Sequence, residues 1–137
     1  MTKVFIDQGH NPANPNAGAE GNGLREQDLV YEIGVRLAAL LNADPEFEAR
    51  LSRNSPTEIL GETTAQSLRA RTDAANSWGA DIFISLHANA STIASASGSE
   101  GLVYKIPSAA YTLSEDILTE LSLATGLQDR GTTARPG

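Results

Sequence analysis

The chain of 137 residues contains no cysteine. This absence excludes disulfide bonds, thiolate metal ligands and cysteine nucleophiles, and it is compatible with either a cytoplasmic or an exported protein. Clusters of basic residues are also missing, and ten basic against seventeen acidic side chains leave a formal net charge of −7. Because a nucleic-acid partner requires clustered positive charge to neutralise phosphates, we expect no nucleic-acid partner.

Long apolar stretches are absent as well. None approaches the about 20 residues that cross a bilayer, so the sequence predicts no membrane span. Residues 1–3 run directly into the short apolar segment 4–6, which is too short for a signal peptide. We therefore expect that the chain either begins at an internal boundary of a longer protein or is delivered without a cleaved leader. Its length and its 40% hydrophobic content fit a single domain over residues 1–137.

Apolar periodicity predicts alternating strands and helices. The expected strands cover residues 4–6, 47–51, 82–86 and 102–104, and the expected helices cover about 27–41, 64–78 and 110–125. This order indicates an α/β fold, with a twisted, mostly parallel sheet and helices on both faces. Segment 82–86 is the most apolar, which is typical of a central strand. Segment 89–99 is small and polar, and it predicts a surface loop.

Two of the expected helices carry apolar stripes that we expect to face the core. The stripe of the first helix consists of Leu29, Ile33, Leu37 and Leu41. The stripe of the third helix consists of Leu113, Ile117, Leu121 and Ala124. Gly79 and Gly126 are placed to end the second and third helices, since glycine readily adopts the left-handed conformation at a helix C-terminus.

The only two histidines, His10 and His87, both follow predicted strands. The carboxyl ends of parallel strands share one edge of a sheet, where ligands usually bind. A single histidine in such a position is more often structural, but two of them favour a shared metal site. Without cysteine, a carboxylate must complete a zinc site, and two histidines, one glutamate and an open water position form an established catalytic arrangement.

Three acidic residues lie near the loop that follows the first strand: Glu20, Glu26 and Asp28. Glu26 stands immediately before the first helix, where the helix dipole favours a carboxylate. From composition alone, a glutamate in this position is more often an ordinary acid at a helix N-terminus than a metal ligand. The choice of the third ligand therefore stays open at this point.

Several segments resemble the N-acetylmuramoyl-L-alanine amidases of the amidase-3 type. The segments are Val-Phe-Ile-Asp-Gln-Gly-His at 4–10, Gly-Leu-Arg-Glu-Gln-Asp at 23–28 and Asp-Ile-Phe-Ile-Ser-Leu-His-Ala-Asn-Ala at 81–90. Further single positions that match the family are Arg53, Arg71, Asn76, Gly98, Glu100 and Tyr104. The matching positions cover nearly the whole chain in the family's order.

The resemblance implies that His10, Glu26 and His87 bind Zn²⁺. It further implies a hydrolase that cleaves the amide bond between N-acetylmuramic acid and the L-alanine of the stem peptide. Peptidoglycan is then the expected partner, and the bacterial cell wall or the extracellular space the expected location. A nucleotide-binding α/β domain is disfavoured, because no G-x-G-x-x-G or Walker loop follows the first strand.

The chain departs from the family at its C-terminus. The family carries its catalytic glutamate on a later strand, after a segment like Arg130-Gly131, whereas this chain ends at Gly137. The late acidic residues Glu115, Asp116, Glu120 and Asp129 match no part of that motif. We therefore expect residues 132–137 to be part of a loop and the C-terminal part of the domain to be missing. A chain without this general base should hydrolyse peptidoglycan poorly or not at all. The alternative is an inactive amidase-like module that binds zinc and either cell wall or a partner protein.

Overall fold

A computed structural model describes residues 1–88 and 97–136. The chain folds as two compact units, Met1–Ala90 and Ser91–Gly137. The elements of the first unit are β1 (Thr2–Gln8), β2 (Glu20–Gly21), β3 (Leu24–Arg25), α1 (Glu26–Asn42), β4 (Phe47–Leu51), α2 (Thr64–Trp78) and β5 (Ile82–Leu86). Those of the second are β6 (Ser99–Val103), α3 (Ala109–Thr125) and β7 (Asp129–Ala134). The predicted α/β fold with mostly parallel strands is confirmed, and the extent of one amidase domain over residues 1–137 stays a prediction.

The first unit is built on a three-stranded parallel sheet in the order β4-β1-β5. Strand β1 is central, and it is buried from Val4 to Gln8. The prediction that segment 82–86 is central is wrong, since β5 lies at an edge of this sheet and Phe83 is 42% exposed. Apolar content does not identify the central strand here, because the central strand β1 ends in two polar residues, Asp7 and Gln8. Both are buried with hydrogen-bond partners that the sequence pattern does not reveal.

Helix α1 packs on one face of the sheet, where Val4, Ile6, Ala38 and Ala49 form the buried core. The predicted stripe is wrong in its first half, because Leu29 is 37% and Ile33 53% exposed. The buried residues of α1 are Glu26, Gln27, Val30, Gly34 and Ala38, and Leu37 and Leu41 pack against the core. Glycine at position 34 permits a close approach to β1, since a Cβ there would lie 2.5 Å from Gln8 Cγ.

Helix α2 lies on the other face of the same sheet. Phe5 points to this face, because side chains alternate along a strand and its neighbours Val4 and Ile6 face α1. The Phe5 ring stacks on Phe83 at a centroid distance of 5.7 Å and contacts Trp78 of α2 at a centroid distance of 6.5 Å. The bounds of α2 agree with the prediction. Its first turn is capped by the Thr63 hydroxyl, and it ends at Gly79 in the left-handed conformation, with φ 78°.

The second unit contains the parallel pair β6 and β7 together with α3. Leu118 is the buried residue of α3, whereas Leu121 is 41% exposed, so the stripe predicted for this helix is wrong in its second half. The expected loop over residues 132–137 is also wrong in part, because Asp129–Ala134 form β7. The sequence of β7 is polar and lacks the apolar alternation that predicts a strand. The strand forms through backbone pairing with β6.

The predicted surface loop over 89–99 lies largely outside the described residues. Within residues 1–88 and 97–136, every helix is too short or too polar to cross a membrane.

Candidate metal centre

Three segments of the first unit bring His10, Glu26 and His87 together. His10 follows β1 and His87 follows β5, and these strands are parallel neighbours whose carboxyl ends share one edge of the sheet. Glu26 is the first residue of α1. Glu26 Oε2 lies 3.2 Å from both His10 Nε2 and His87 Nδ1, and the two nitrogens are 3.3 Å apart. One potential ligand atom from each residue therefore faces a common point.

The exposure of the three side chains differs in a way that suits a ligand site. Glu26 is 7% exposed, His10 23% and His87 43%. The imidazole rings meet edge to face, at an interplanar angle of 87° and a centroid distance of 4.9 Å. The Glu26 carboxylate is thus the buried part of the cluster, and the His87 imidazole is its solvent-accessible part.

The backbone fixes the carboxylate of Glu26. Its Oε2 accepts a hydrogen bond from Ala88 N at 2.9 Å, and its Oε1 accepts one from Ala19 N at 3.4 Å. The other two candidate acids, Glu20 and Asp28, lie on the surface and pair with Arg25 instead. Of the three acids that composition alone left open, the structure therefore places Glu26, the one that the family resemblance implies, beside the histidines.

Two glycines allow the ligand segments to approach one another. A Cβ at Gly9 would lie 2.5 Å from His87 Cε1 and 2.6 Å from the Leu86 carbonyl oxygen. A Cβ at Gly18 would lie 3.0 Å from His10 Cδ2. Any larger residue at position 9 would have to displace the His87 ring or the end of β5.

Arg71 of α2 holds the chain on both sides of Gly9. Its guanidinium donates to the carbonyl oxygens of Gln8 at 2.5 Å and His10 at 2.8 Å, and to Asp7 Oδ1 at 2.9 Å. The second oxygen of Asp7 accepts a hydrogen bond from Ser85 Oγ at 2.7 Å. His10 has a positive φ of 66°, an uncommon conformation for a residue other than glycine, and these bonds support it.

Arg53 lies fully buried beneath the same segment. It donates to the Gln8 carbonyl oxygen at 3.3 Å and to the Gln27 carbonyl oxygen at 2.6 Å. Burial lowers the pKa of the Arg53 guanidinium, and the positive charge of Arg71 lowers this pKa further. Both arginines therefore order the backbone that carries the candidate ligands. Asn76, the third position matched in this region, is exposed on α2.

The polar residues that surround His10 were not predicted from the sequence. Asn16 accepts a hydrogen bond at the His10 ring, and the buried Asn11 ties the loop to the Leu60 carbonyl oxygen. The short strands β2 and β3 were also missed, although the Asn22-Gly23 turn between them is a recognisable hairpin signal. No spacing rule identifies Asn16, because its role depends on how the loop folds back over His10.

The donor set fits a zinc ion. The three ligand atoms lie within 4.8 Å of one another, and two imidazoles with one carboxylate are typical of catalytic zinc. In the part of the chain that the structure describes, no other cluster of three or more histidine or acidic side chains has such geometry.

Comparison with known proteins identifies the family of this chain. The family described as N-acetylmuramoyl-L-alanine amidase matches residues 4–136. The sporulation-specific N-acetylmuramoyl-L-alanine amidase of Bacillus subtilis is 37% identical over 133 residues, which are 96% of this chain and 48% of that protein. The N-acetylmuramoyl-L-alanine amidase CwlM of Bacillus licheniformis is 38% identical with the same coverage.

A solved structure supports the same assignment. The catalytic domain of the amidase CwlV from Bacillus (Paenibacillus) polymyxa var. colistinus superposes with a TM-score of 0.81 at 27% identity, covering 98% of this chain and 70% of that domain. The chain thus spans about half the length of the curated relatives named above. Since the family match extends over nearly all of its residues, the chain belongs to the N-acetylmuramoyl-L-alanine amidase family.

Proposed function

We propose that this chain supplies the zinc centre of a peptidoglycan hydrolase that cleaves the amide bond between N-acetylmuramic acid and L-alanine. The observation that carries the proposal is the convergence of His10, Glu26 and His87 on one point at the carboxyl edge of the sheet. Membership of the amidase family supports the choice of substrate.

Each of the three residues has a defined part in this proposal. His10 Nε2, His87 Nδ1 and Glu26 Oε2 are the atoms that would hold the ion. When bound, zinc polarises a carbonyl oxygen and lowers the pKa of water, which are the two requirements for attack on an amide. Glu26 lies at the bottom of the cluster, so the substrate is expected to approach from the exposed side of His87.

The proposed location is the bacterial cell wall or the extracellular space. It follows from the substrate, and it agrees with a curated relative that is named as a sporulation-specific amidase. Peptidoglycan is the proposed partner, and a surface with a net charge of −7 remains unsuited to nucleic acid.

Metal binding is the first test. Protein purified without chelator should contain about one equivalent of zinc, as expected for one site with three protein ligands. The Glu26→Gln and His87→Ala variants should each bind zinc more weakly. The loss should exceed the about 10–100-fold loss that follows from replacing a residue that contacts a ligand but not the metal. Glu20→Gln is the matched control, because that side chain is 66% exposed and lies in the same loop region. Full zinc content in His87→Ala would refute the ligand assignment.

Hydrolysis is the second test. Zinc-loaded protein that continues through the later strand carrying the family's glutamate should release free amino groups of L-alanine from purified cell walls without producing new reducing sugar ends. The 137-residue chain, at equal zinc content, should release few or none, because loss of a positioned acid or base typically costs about 10²–10⁴-fold in rate. The Glu26→Gln variant should be inactive and Glu20→Gln fully active. Stoichiometric zinc binding by the extended protein without release of amino groups would refute the proposed hydrolysis and favour the inactive amidase-like module.

A further inference from the structure

A side-chain amide lies against the ring nitrogen of His10 that faces away from the cluster. Asn16 Oδ1 is 3.2 Å from His10 Nδ1, while His10 Nε2 faces Glu26. The Asn16 NH₂ group in turn donates to Ser67 Oγ of α2 at 3.2 Å. The amide therefore has a hydrogen-bond partner at each end, with its carbonyl oxygen toward His10.

This contact determines which nitrogen of His10 carries the proton. A carbonyl oxygen only accepts hydrogen bonds, so Nδ1 must be the donor when it faces Asn16 Oδ1. The neutral imidazole then has its lone pair on Nε2, which is the atom that faces the other two candidate ligands. In the reverse tautomer, Nδ1 and the amide oxygen would be two acceptors in contact, and Nε2 could not bind a cation.

The surrounding structure holds Asn16 in place. Its backbone carbonyl oxygen accepts a hydrogen bond from Asn11 N at 2.8 Å, and its φ of 67° is one that asparagine tolerates better than most residues. Ser67 is fully buried, so its hydroxyl oxygen has a fixed position on α2. The amide is thus positioned before any ligand arrives.

We propose that Asn16 is a positioning residue that selects Nε2 of His10 as the zinc-binding atom. The inference rests on the proposed zinc centre, and it concerns the chain's own residues toward that ion. Partners that donate or accept at the outer nitrogen of a metal-binding histidine typically change metal affinity by about 10–100-fold. Because the partner here is a neutral amide, we expect an effect near the lower limit.

The test uses variants that separate the amide from the backbone. Asn16→Gly removes the side chain, and glycine readily adopts the positive φ of this position. Asn16→Asp restores an acceptor toward Nδ1, and the Ser67 hydroxyl can rotate to donate to it. Asn22→Gly is the matched control, because Asn22 also has a positive φ, of 52°, and is exposed in the turn between β2 and β3.

Zinc affinity is measured by competition with a chelator. Asn16→Gly should bind zinc about 10-fold more weakly than the unaltered protein. Asn16→Asp should bind it as tightly as the unaltered protein or more tightly, and Asn22→Gly should show no change. The urea midpoint of metal-free Asn16→Gly is determined in parallel, so that a loss of affinity is not mistaken for a loss of folding.

Nitrogen NMR of the imidazole rings reports the tautomer directly. The chain has only two histidines, so a His87→Ala variant assigns both rings. In the metal-free protein His10 should carry its proton on Nδ1, and Asn16→Gly should convert it to a mixture of tautomers. An unaltered protein that binds no zinc would refute the proposed zinc centre. Tight zinc binding with unchanged affinity and tautomer in Asn16→Gly would refute the role of Asn16 alone.

Discussion

Replacing Arg71 by methionine tests how much of the fold rests on the ion pair beneath the metal centre. Arg71 and Asp7 are 1% and 7% exposed, and their charged atoms are 2.9 Å apart. Methionine fills a similar volume but leaves the Asp7 carboxylate buried without its cation. It also removes the donors to the carbonyl oxygens of Gln8 and His10. Breaking a buried pair from one side costs about 3–5 kcal/mol of the free energy of unfolding.

A second ion pair provides the matched control. Arg36 and Glu32 on α1 are separated by only 2.7 Å, but they are 77% and 63% exposed. Water solvates both charges whether or not they pair, so Arg36→Met should cost only about 0.3–0.5 kcal/mol. Removing the arginine of the shorter ion pair is therefore expected to cost about ten times less, because burial of the charge left behind, rather than distance, determines the loss.

Urea unfolding of the metal-free proteins measures both losses without a contribution from zinc binding. With a slope of about 2 kcal/mol per M, Arg71→Met should lower the urea midpoint by about 1.5–2.5 M. The shift for Arg36→Met should be about 0.2 M. Equal shifts for the two variants would refute the reasoning, since they would mean that the Asp7 carboxylate finds water or another partner when Arg71 is removed.

Three further predictions concern the metal and two glycines. Chelation should leave the circular dichroism spectrum of an α/β protein, because the core does not depend on the metal; complete unfolding would show otherwise. Gly34→Ala should lower the free energy of unfolding by about 1–3 kcal/mol in chemical denaturation, because the new Cβ would meet the buried Gln8 side chain at 2.5 Å. Alanine usually favours a helix, so a more stable variant would contradict this prediction. Gly9→Ala should weaken zinc binding by displacing His87, whereas Gly21→Ala, which has open space around it, should bind zinc normally in the same chelator competition.

The sequence determines those elements whose signals are local. Helix α2 begins and ends where Thr63 and Gly79 place it, because a capping hydroxyl and a left-handed glycine act within a few residues. The core strands β1, β4 and β5 were likewise visible as short apolar segments. In contrast, the apolar stripe of α1 was wrong because Gly34, and not Leu29 or Ile33, makes the closest approach to the sheet.

Strand order and strand β7 depended on tertiary pairing. The central place of β1 requires the buried arginines, Arg53 and Arg71, to bond its polar end, and these come from positions 45 and 63 residues away. The segment Asp129–Ala134 becomes a strand because β6 offers it a partner, since its own side chains show no strand pattern. Long-range hydrogen bonds of this kind leave no periodic trace in the sequence.

The candidate ligands themselves were accessible from sequence, because a chain with two histidines and no cysteine offers few ways to bind a transition metal. Composition left Glu20, Glu26 and Asp28 open, and the family resemblance singled out Glu26. The convergence of the three candidate ligands and the contact between Asn16 and His10 were seen only in the tertiary structure. These contacts are distances of about 3 Å between residues on separate segments, which arise when β1, the following loop, α1 and β5 meet at one edge of the sheet.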